Sequence, residues 1–285
     1  MISAFADRGR VRRPARRVAC LLGALGLIAA SVPAAPGADA ASTAPSAEEV
    51  LDAAFTNRYK IDLVTTIELV MHGRGGQQRK RTIEAVTKVI DGKVNSIGRL
   101  VAPEYLRGMT VLMMETEGRG QNAFVYMPSL NRVRRITTAQ RGDAFFGSDV
   151  TYEDIEQQYV DEFDFDGIEE GELNGEPVYQ VHVRPNRRYN YARATFTIAQ
   201  ADSAILQTRY YKRGTDEPYR VIAAPRAHMV DLSGHVLPTR LKVENRMRGT
   251  YTDVQLSNLD IERKIPNRIF SVRTLEQKRP LPGER

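Results

Sequence analysis

The chain has no tryptophan and one cysteine, Cys20, among its 285 residues. Cys20 falls in an N-terminal segment expected to be removed, so the mature protein is expected to hold no disulfide and no thiolate metal site, even in an oxidising compartment. Histidine is scarce as well. His72, His182, His228 and His235 are the four, and no two stand at the i, i+4 spacing of a zinc-binding helix face. They read as separate strand or surface histidines. There is no G-x-S-x-G elbow to present a nucleophilic serine, and Gly118-Arg119-Gly120 lacks the strand and helix that flank a phosphate cradle. The run Asp161–Glu170 places Glu162, Asp164, Asp166 and Gly167 as a calcium loop would, but Leu173 stands where the bidentate glutamate is required. A strand with acids on one face and Phe163 and Phe165 on the other fits it better. No catalytic residue, metal or cofactor is therefore expected, and the chain reads as a non-enzyme. Only a hydrolytic site built from dispersed residues stays open.

Long apolar runs are also missing, apart from Val18–Ala30. Six arginines, Arg8 to Arg17, precede that run and Ala38-Asp39-Ala40 follows it, which is the layout of a signal peptide cut before Ala41. The run is short for a membrane span. An uncleaved N-terminal anchor is the alternative, and either reading carries the remainder across a membrane. Arg16-Arg17 leaves the choice between general and twin-arginine export open. Cys20 begins the apolar run rather than following it, so it is misplaced for lipid attachment. Removing residues 1–40 takes away six arginines and two acids and leaves 35 basic and 33 acidic residues. The basic character of the whole chain thus belongs mostly to the export signal. A net charge of about +2 gives no concentrated basic face, and nucleic acid is not an expected partner. The mature length suits one domain, assigned to residues 41–275 with a disordered Pro- and Arg-rich tail at 276–285.

What the sequence does contain is period-2 patterning. Ser46-Ala-Glu-Glu49 is a capping box, and Val50, Leu51, Ala54 and Phe55 continue it at helical spacing to about Arg58. From Leu63 onward the texture becomes that of strands: 63–71, 80–90, 93–100, 108–117, 122–127 and 132–137, then 160–169, 177–183, 192–198, 204–212, 219–231, 236–244 and 251–261. Short turns separate them, with Asp91-Gly92 the strongest signal of a type I′ hairpin. Thr151-Tyr-Glu-Asp154 marks a helix start inside the interruption at 142–158. An open sheet of about a dozen strands curls. The fold class is therefore mainly β (α+β): a strongly curved antiparallel sheet forming an incomplete barrel closed by short helices, with an elongated apolar pocket between helices and sheet.

Gly108–Met114 reads G-M-T-V-L-M-M, so both faces of that strand are apolar and something must cover each. Helices, a neighbouring sheet or an apolar ligand would all serve. The residues assigned to the pocket or its lid are Met109, Val111, Leu112, Met114, Phe124, Tyr126, Phe145 and Phe146, the methionines supplying adaptable walls. Arg132 and Arg134 share one strand face and are assigned to a headgroup or cargo contact at its mouth. Arg187-Arg188-Tyr-Asn-Tyr191 reads as a wet strand end or an anionic-headgroup contact.

The run F-V-Y-M-P-S-L-N-R-V-R-R-I (Phe124–Ile136), followed by F-F-G-S-D-V-T-Y-E-D-I (Phe145–Ile155), resembles the signature of the outer-membrane lipoprotein-sorting protein family, the LolA-like periplasmic carriers. Val236–Leu241 and Ile265–Phe270 are similar to that family's closing segments. The resemblance spans most of residues 46–272. It implies a half-barrel closed by helices that holds acyl chains of lipoproteins or lipids and ferries them through the periplasm toward the outer membrane. It also implies an inner-membrane transporter as donor, an outer-membrane acceptor, and a monomer. The alternative is an accessory subunit that docks on a lipid-exporting transporter and holds no lipid, which would show a filled interior and a large exposed apolar or charged patch instead of a cavity. Relatives often carry a tryptophan at the aromatic-Tyr-Pro turn; here Phe124 and Tyr126 stand instead.

Overall fold

The first helix forms where its capping box directs. A computed structural model of the protein describes residues 44–277 and 280–283, and the expected export signal lies outside the described residues. In α1 (Ala47–Tyr59) the Glu49 amide donates to Ser46 Oγ at 3.2 Å, while the Ser46 amide donates to Glu49 Oε2 at 2.8 Å. The apolar stripe of α1, Val50, Leu51, Ala54 and Phe55, is buried.

Short turns make the first six strands a meander: β1 (Leu63–His72), β2 (Gln78–Ile90), β3 (Lys93–Ala102), β4 (Thr110–Glu115), β5 (Gln121–Met127) and β6 (Arg132–Ile136). Asp91 and Gly92 sit at φ 50° and 76°, as a type I′ turn requires. Residues 137–162 then leave the sheet, carrying the single-turn α2 (Tyr152–Ile155). A second meander follows in β7 (Phe163–Leu173), β8 (Glu176–Pro185), β9 (Arg193–Ala199), β10 (Ile205–Tyr211) and β11 (Arg220–Ala223). The hairpin of β12 (Met229–Leu232) and β13 (His235–Pro238) stands apart as a two-stranded sheet. Last come β14 (Arg240–Asn245), β15 (Thr250–Asp260) and α3 (Val272–Glu276). The expected continuous strands 219–231 and 236–244 are each divided, at Pro225 and at Pro238, where no amide is available to a ladder.

Thirteen strands form one sheet in the order β6-β5-β4-β3-β2-β1-β15-β14-β11-β10-β9-β8-β7, all neighbours antiparallel. The two meanders join where β1 pairs with β15, His72 opposite Tyr251. The edges β6 and β7 do not pair, so the barrel stays open. Curvature follows from packing. β3 and β8 are eight strands apart, about 38 Å if the sheet were flat, yet Val94 of β3 and Val181 and Val183 of β8 belong to one cluster around Leu51 and Phe55 of α1. The sheet curls around that helix.

Residues directly opposite one another on antiparallel strands share a face, which separates the two sides of the sheet. On the inner face Val111 and Met113 lie opposite Val125 and Ala123 and pack with Leu69, Ile83, Leu100 and Val254 beneath Phe145, Phe146 and Tyr152. On the outer face Leu112 and Tyr126 pack with Val64, Val86 and Ile97 beneath Ile265, Phe270, Leu275 and Leu281. Within the segment 276–285, expected to be a disordered tail, Leu281 is 3% exposed. The chain turns back there because Leu112 and its neighbours offer an apolar surface that β4 alone leaves uncovered.

Candidate functional site

The doubly apolar β4 is explained by two different covers. The inner cover is the 144–159 segment. Phe146 adopts φ 50°, a backbone region uncommon for a bulky residue, and the turn folds its ring against Phe145 at a centroid distance of 4.4 Å. The segment is held by charge as well as packing. Arg220 on β11 grips the Asp154 carboxylate through both terminal nitrogens and donates Nε to the Asp149 carbonyl at 3.2 Å. Both side chains of the Arg220–Asp154 pair are at most 6% exposed. Arg58 of α1 donates to the Asp154 carbonyl at 2.7 Å, so one aspartate ties the segment to both helix and sheet. The Asp149 carboxylate accepts from Thr250 and Thr252 on β15. Burial raises Glu153 and Glu162 above the usual carboxylate range and pushes Glu156 up to about 7 against the pull of Arg141 and Arg187. Oε2 of Glu156 lies 3.2 Å from Arg141 Nη1, while Oε1 has no hydrogen-bond partner.

The outer cover leaves space. A cavity of about 1200 Å³ lies between the outer face of β1–β5 and the C-terminal segment, above the roughly 300–1,000 Å³ usual for small-molecule sites. Val64, Val101, Tyr126, Leu259 and Leu275 supply its apolar walls. Its polar groups are held in place. Thr66 Oγ1 donates to Glu84 at 3.1 Å, and the Tyr126 hydroxyl donates to Asn131 Oδ1 at 3.0 Å. Arg99, 6% exposed, donates Nε to Thr110 Oγ1 at 3.1 Å and Nη2 to the Gln277 carbonyl at 3.4 Å, joining the cavity wall to its cover. Arg107 and Arg263 line the same space, paired with Glu104 at 2.6 Å and Asp260 at 2.8 Å. Apolar walls with fixed charged groups suit an amphiphile more than a pure hydrocarbon. A second cavity, about 50 Å³, lies beside α1 between Ala54, Leu206 and Leu237.

The eight residues assigned from sequence do not form one wall. Met109, Val111, Phe145 and Phe146 belong to the inner face, and Leu112, Met114, Phe124 and Tyr126 to the outer. Period 2 sends neighbours on a strand to opposite sides, so the pair Val111 and Leu112 could never share a pocket. Of the eight, Tyr126 reaches the large cavity; Val111, Leu112, Phe145 and Phe146 are buried in packed core. Arg132 and Arg134 lie on the exposed edge strand opposite Met127 and Val125, away from the cavity lining. Sequence reasoning missed Val64, Arg99, Val101, Leu259 and Leu275. Leu275 and Leu281 in an otherwise polar tail were the available signal for the cover. Among the described residues no group of three or more His, Cys, Asp or Glu is placed to hold a metal ion.

The fold itself has relatives of known structure. A domain described as an outer membrane lipoprotein-sorting protein, from Vibrio parahaemolyticus, superposes with a TM-score of 0.74 at 17% identity, covering 80% of this chain and 97% of that one. A DUF1329 family protein from Desulfovibrio piger gives the same TM-score and coverage at 21% identity. A LolA superfamily protein from Nitrosomonas europaea gives 0.64 at 18% identity, covering 81% of this chain and all of that one. No curated protein matches the chain. The family model described as “-like: Uncharacterized protein” matches residues 92–277, which is most of the curved sheet together with its inner and outer covers. The chain therefore belongs to that family, and its fold is the LolA-like fold of outer-membrane lipoprotein-sorting domains.

Proposed function

We propose that the protein is an exported, periplasmic carrier that holds acyl chains of lipids or lipoproteins and moves them toward the outer membrane. The observation that carries this reading is the cavity of about 1200 Å³ under the C-terminal segment, set on a fold shared with lipoprotein-sorting domains. Each methylene moved out of water contributes about 0.8 kcal/mol, so Val64, Val101, Tyr126, Leu259 and Leu275 retain a chain without any catalytic group. Arg99, held by Thr110 and Gln277, and Arg107, paired with Glu104, line the same cavity and would lie beside the polar end of the same molecule. The site differs from the pocket expected between helices and sheet, because the inner face is occupied by α1 and Phe145–Tyr152. Native mass spectrometry of protein purified from the periplasm, followed by lipid identification, tests the reading. A stoichiometric acylated species is expected; a clean apo mass with no uptake of added phospholipid or acylated peptide would contradict it.

The filled inner face favours a second reading, an accessory subunit of a lipid-exporting transporter. It makes the opposite forecast in the same experiment: no lipid at all, and association with a membrane transporter instead.

A further inference from the structure

The two ends of the sheet differ in charge and in exposed apolar groups. Chain topology puts the connections 73–77, 103–109, 128–131, 186–192, 212–219 and 246–249 at one end, because each leaves and re-enters a strand there. These six connections, with the 160–162 segment that enters β7 at the same end, carry eight arginines or lysines and five acids, Glu162 pairing with Arg187 at 2.6 Å. The connections at the opposite end, 91–92, 116–120, 174–175, 200–204 and 224–239, with 60–62 entering β1 and 261–264 leaving β15, carry five basic residues and six acids. A chain whose mature charge is near neutral is thus polarised along its strands.

Exposed apolar side chains follow the same division. Of the four large apolar side chains exposed among the described residues, Tyr105, Leu130 and Met247, at 75%, 64% and 65%, each sit on a different connection at the basic end, while Val272, at 36%, lies on α3. Isolated exposed apolar residues need no explanation, but three on one rim among cations form a pattern. Counting strands along the rim, Tyr105 lies about 10 Å from Leu130 and about 20 Å from Met247. The rim is built rather than loose. Arg74 donates to the Arg248 and Met247 carbonyls at 2.5 and 3.1 Å, locking two turns together. Pro128 packs over Gly108, where an added Cβ would come within 3.2 Å of the Pro128 ring. Gly108, Arg107 and Pro128 also line the large cavity, so the cavity reaches this end.

We infer that the end of the sheet bearing Tyr105, Leu130 and Met247 docks on an anionic lipid surface, the three side chains entering the headgroup region while the surrounding arginines meet lipid phosphates. Alternating cations and amphipathic or apolar tips match such a surface in both charge and depth. The docked orientation places the Arg107–Pro128 end of the cavity nearest the bilayer. The docking does not rest on the carrier reading, because it needs no lipid inside the protein.

Flotation of the mature chain with vesicles of phosphatidylglycerol and phosphatidylethanolamine, against vesicles of phosphatidylcholine, tests the inference. Binding to the anionic vesicles is expected to exceed binding to the neutral ones at least about tenfold and to weaken as salt rises from about 0.05 to 0.5 M. Each arginine near such a surface contributes about a fivefold gain, so Arg246→Ser with Arg248→Ser should lower binding roughly 30-fold. Tyr105→Ser, Leu130→Ser and Met247→Ser together should remove the part that survives salt. All five positions are exposed, and unchanged circular dichroism would show that the variants fold. Equal binding to both vesicle types, or variants that bind as the parent does, would overturn the inference. Binding only to membranes that retain their proteins would overturn it in favour of a protein partner. Docking that persists while native mass spectrometry finds no lipid would sink the carrier reading alone.

Discussion

Replacing Asp154 by alanine should destabilise the protein more than any exposed substitution. The loss leaves Arg220 buried on β11 without its counter-ion, hydrogen-bonded only through Nε to the Asp149 carbonyl, and removes the acceptor that Thr151 uses through both its amide, at 2.7 Å, and its hydroxyl, at 2.8 Å. Breaking one side of a buried ion pair costs about 3–5 kcal/mol, a large share of the roughly 5–15 kcal/mol that holds a typical domain. With a urea m-value near the top of the usual range, about 3 kcal/mol/M, the midpoint should fall by more than about 1 M. Asp154→Asn should fall between, since it keeps an acceptor but not the charge. The double variant Asp154→Leu with Arg220→Met should be less damaging than either charge-stranding single variant, because removing both charges leaves nothing uncompensated. Urea unfolding followed by far-ultraviolet circular dichroism measures all three. A midpoint shift below about 0.3 M for Asp154→Ala, or a double variant worse than both singles combined, would refute the assignment of this pair as the anchor of the inner cover.

Other perturbations have signed outcomes. Glu156 holds its proton more tightly folded than unfolded, so stability should fall as pH rises from about 4.5 to about 7, by about 3 kcal/mol in order of magnitude. Glu156→Gln should abolish that slope and gain most above pH 7; the test is the urea midpoint measured across pH, and parallel profiles for both proteins would contradict it. Arg141, Arg187, Glu153 and Glu162 all face this carboxyl, so their variants should move the slope too. Leu112→Glu places an unpaired charge at a fully buried outer-face position and should leave little folded protein, whereas Met247→Glu, on an exposed turn, should change the midpoint little. A chain stopped after Lys264 loses Ile265, Phe270, Leu275 and Leu281 from over Leu112, and should bind more of a hydrophobic dye than the full chain does. Ser46→Ala should cost about 1 kcal/mol through the lost N-cap of α1.

Local rules carried much of this fold. Ser46 and Glu49 set the first helix, Asp91-Gly92 its hairpin, and alternating apolar residues placed the long strands to within a few residues, because each of these signals is settled by neighbours in sequence. The two-sided apolarity of 109–114 correctly required two covers. What it could not tell was their identity, since 144–159 and 265–281 reach β4 only through tertiary contact. The pocket residues scattered for the same reason: composition marks Val111 and Leu112 as equally apolar, while the pleat sends them to opposite faces. Phe146 in a left-handed turn, Arg220 gripping Asp154 from 66 residues away, and the rim polarity of the sheet all depend on topology that no short window contains. The absence of tryptophan, by contrast, is a sequence fact with a direct experimental use.

Because the natural chain holds no tryptophan, a single one reports one site. Val101→Trp places it in the outer cavity and Phe145→Trp on the packed inner face. Both proteins would be titrated with a lysophospholipid whose acyl chain carries bromine, below the concentration at which it aggregates. Saturable quenching is expected of the tryptophan at 101 and little of the one at 145. Quenching at 145 alone would move the acyl chain to the inner face, and quenching at neither would contradict the carrier reading itself.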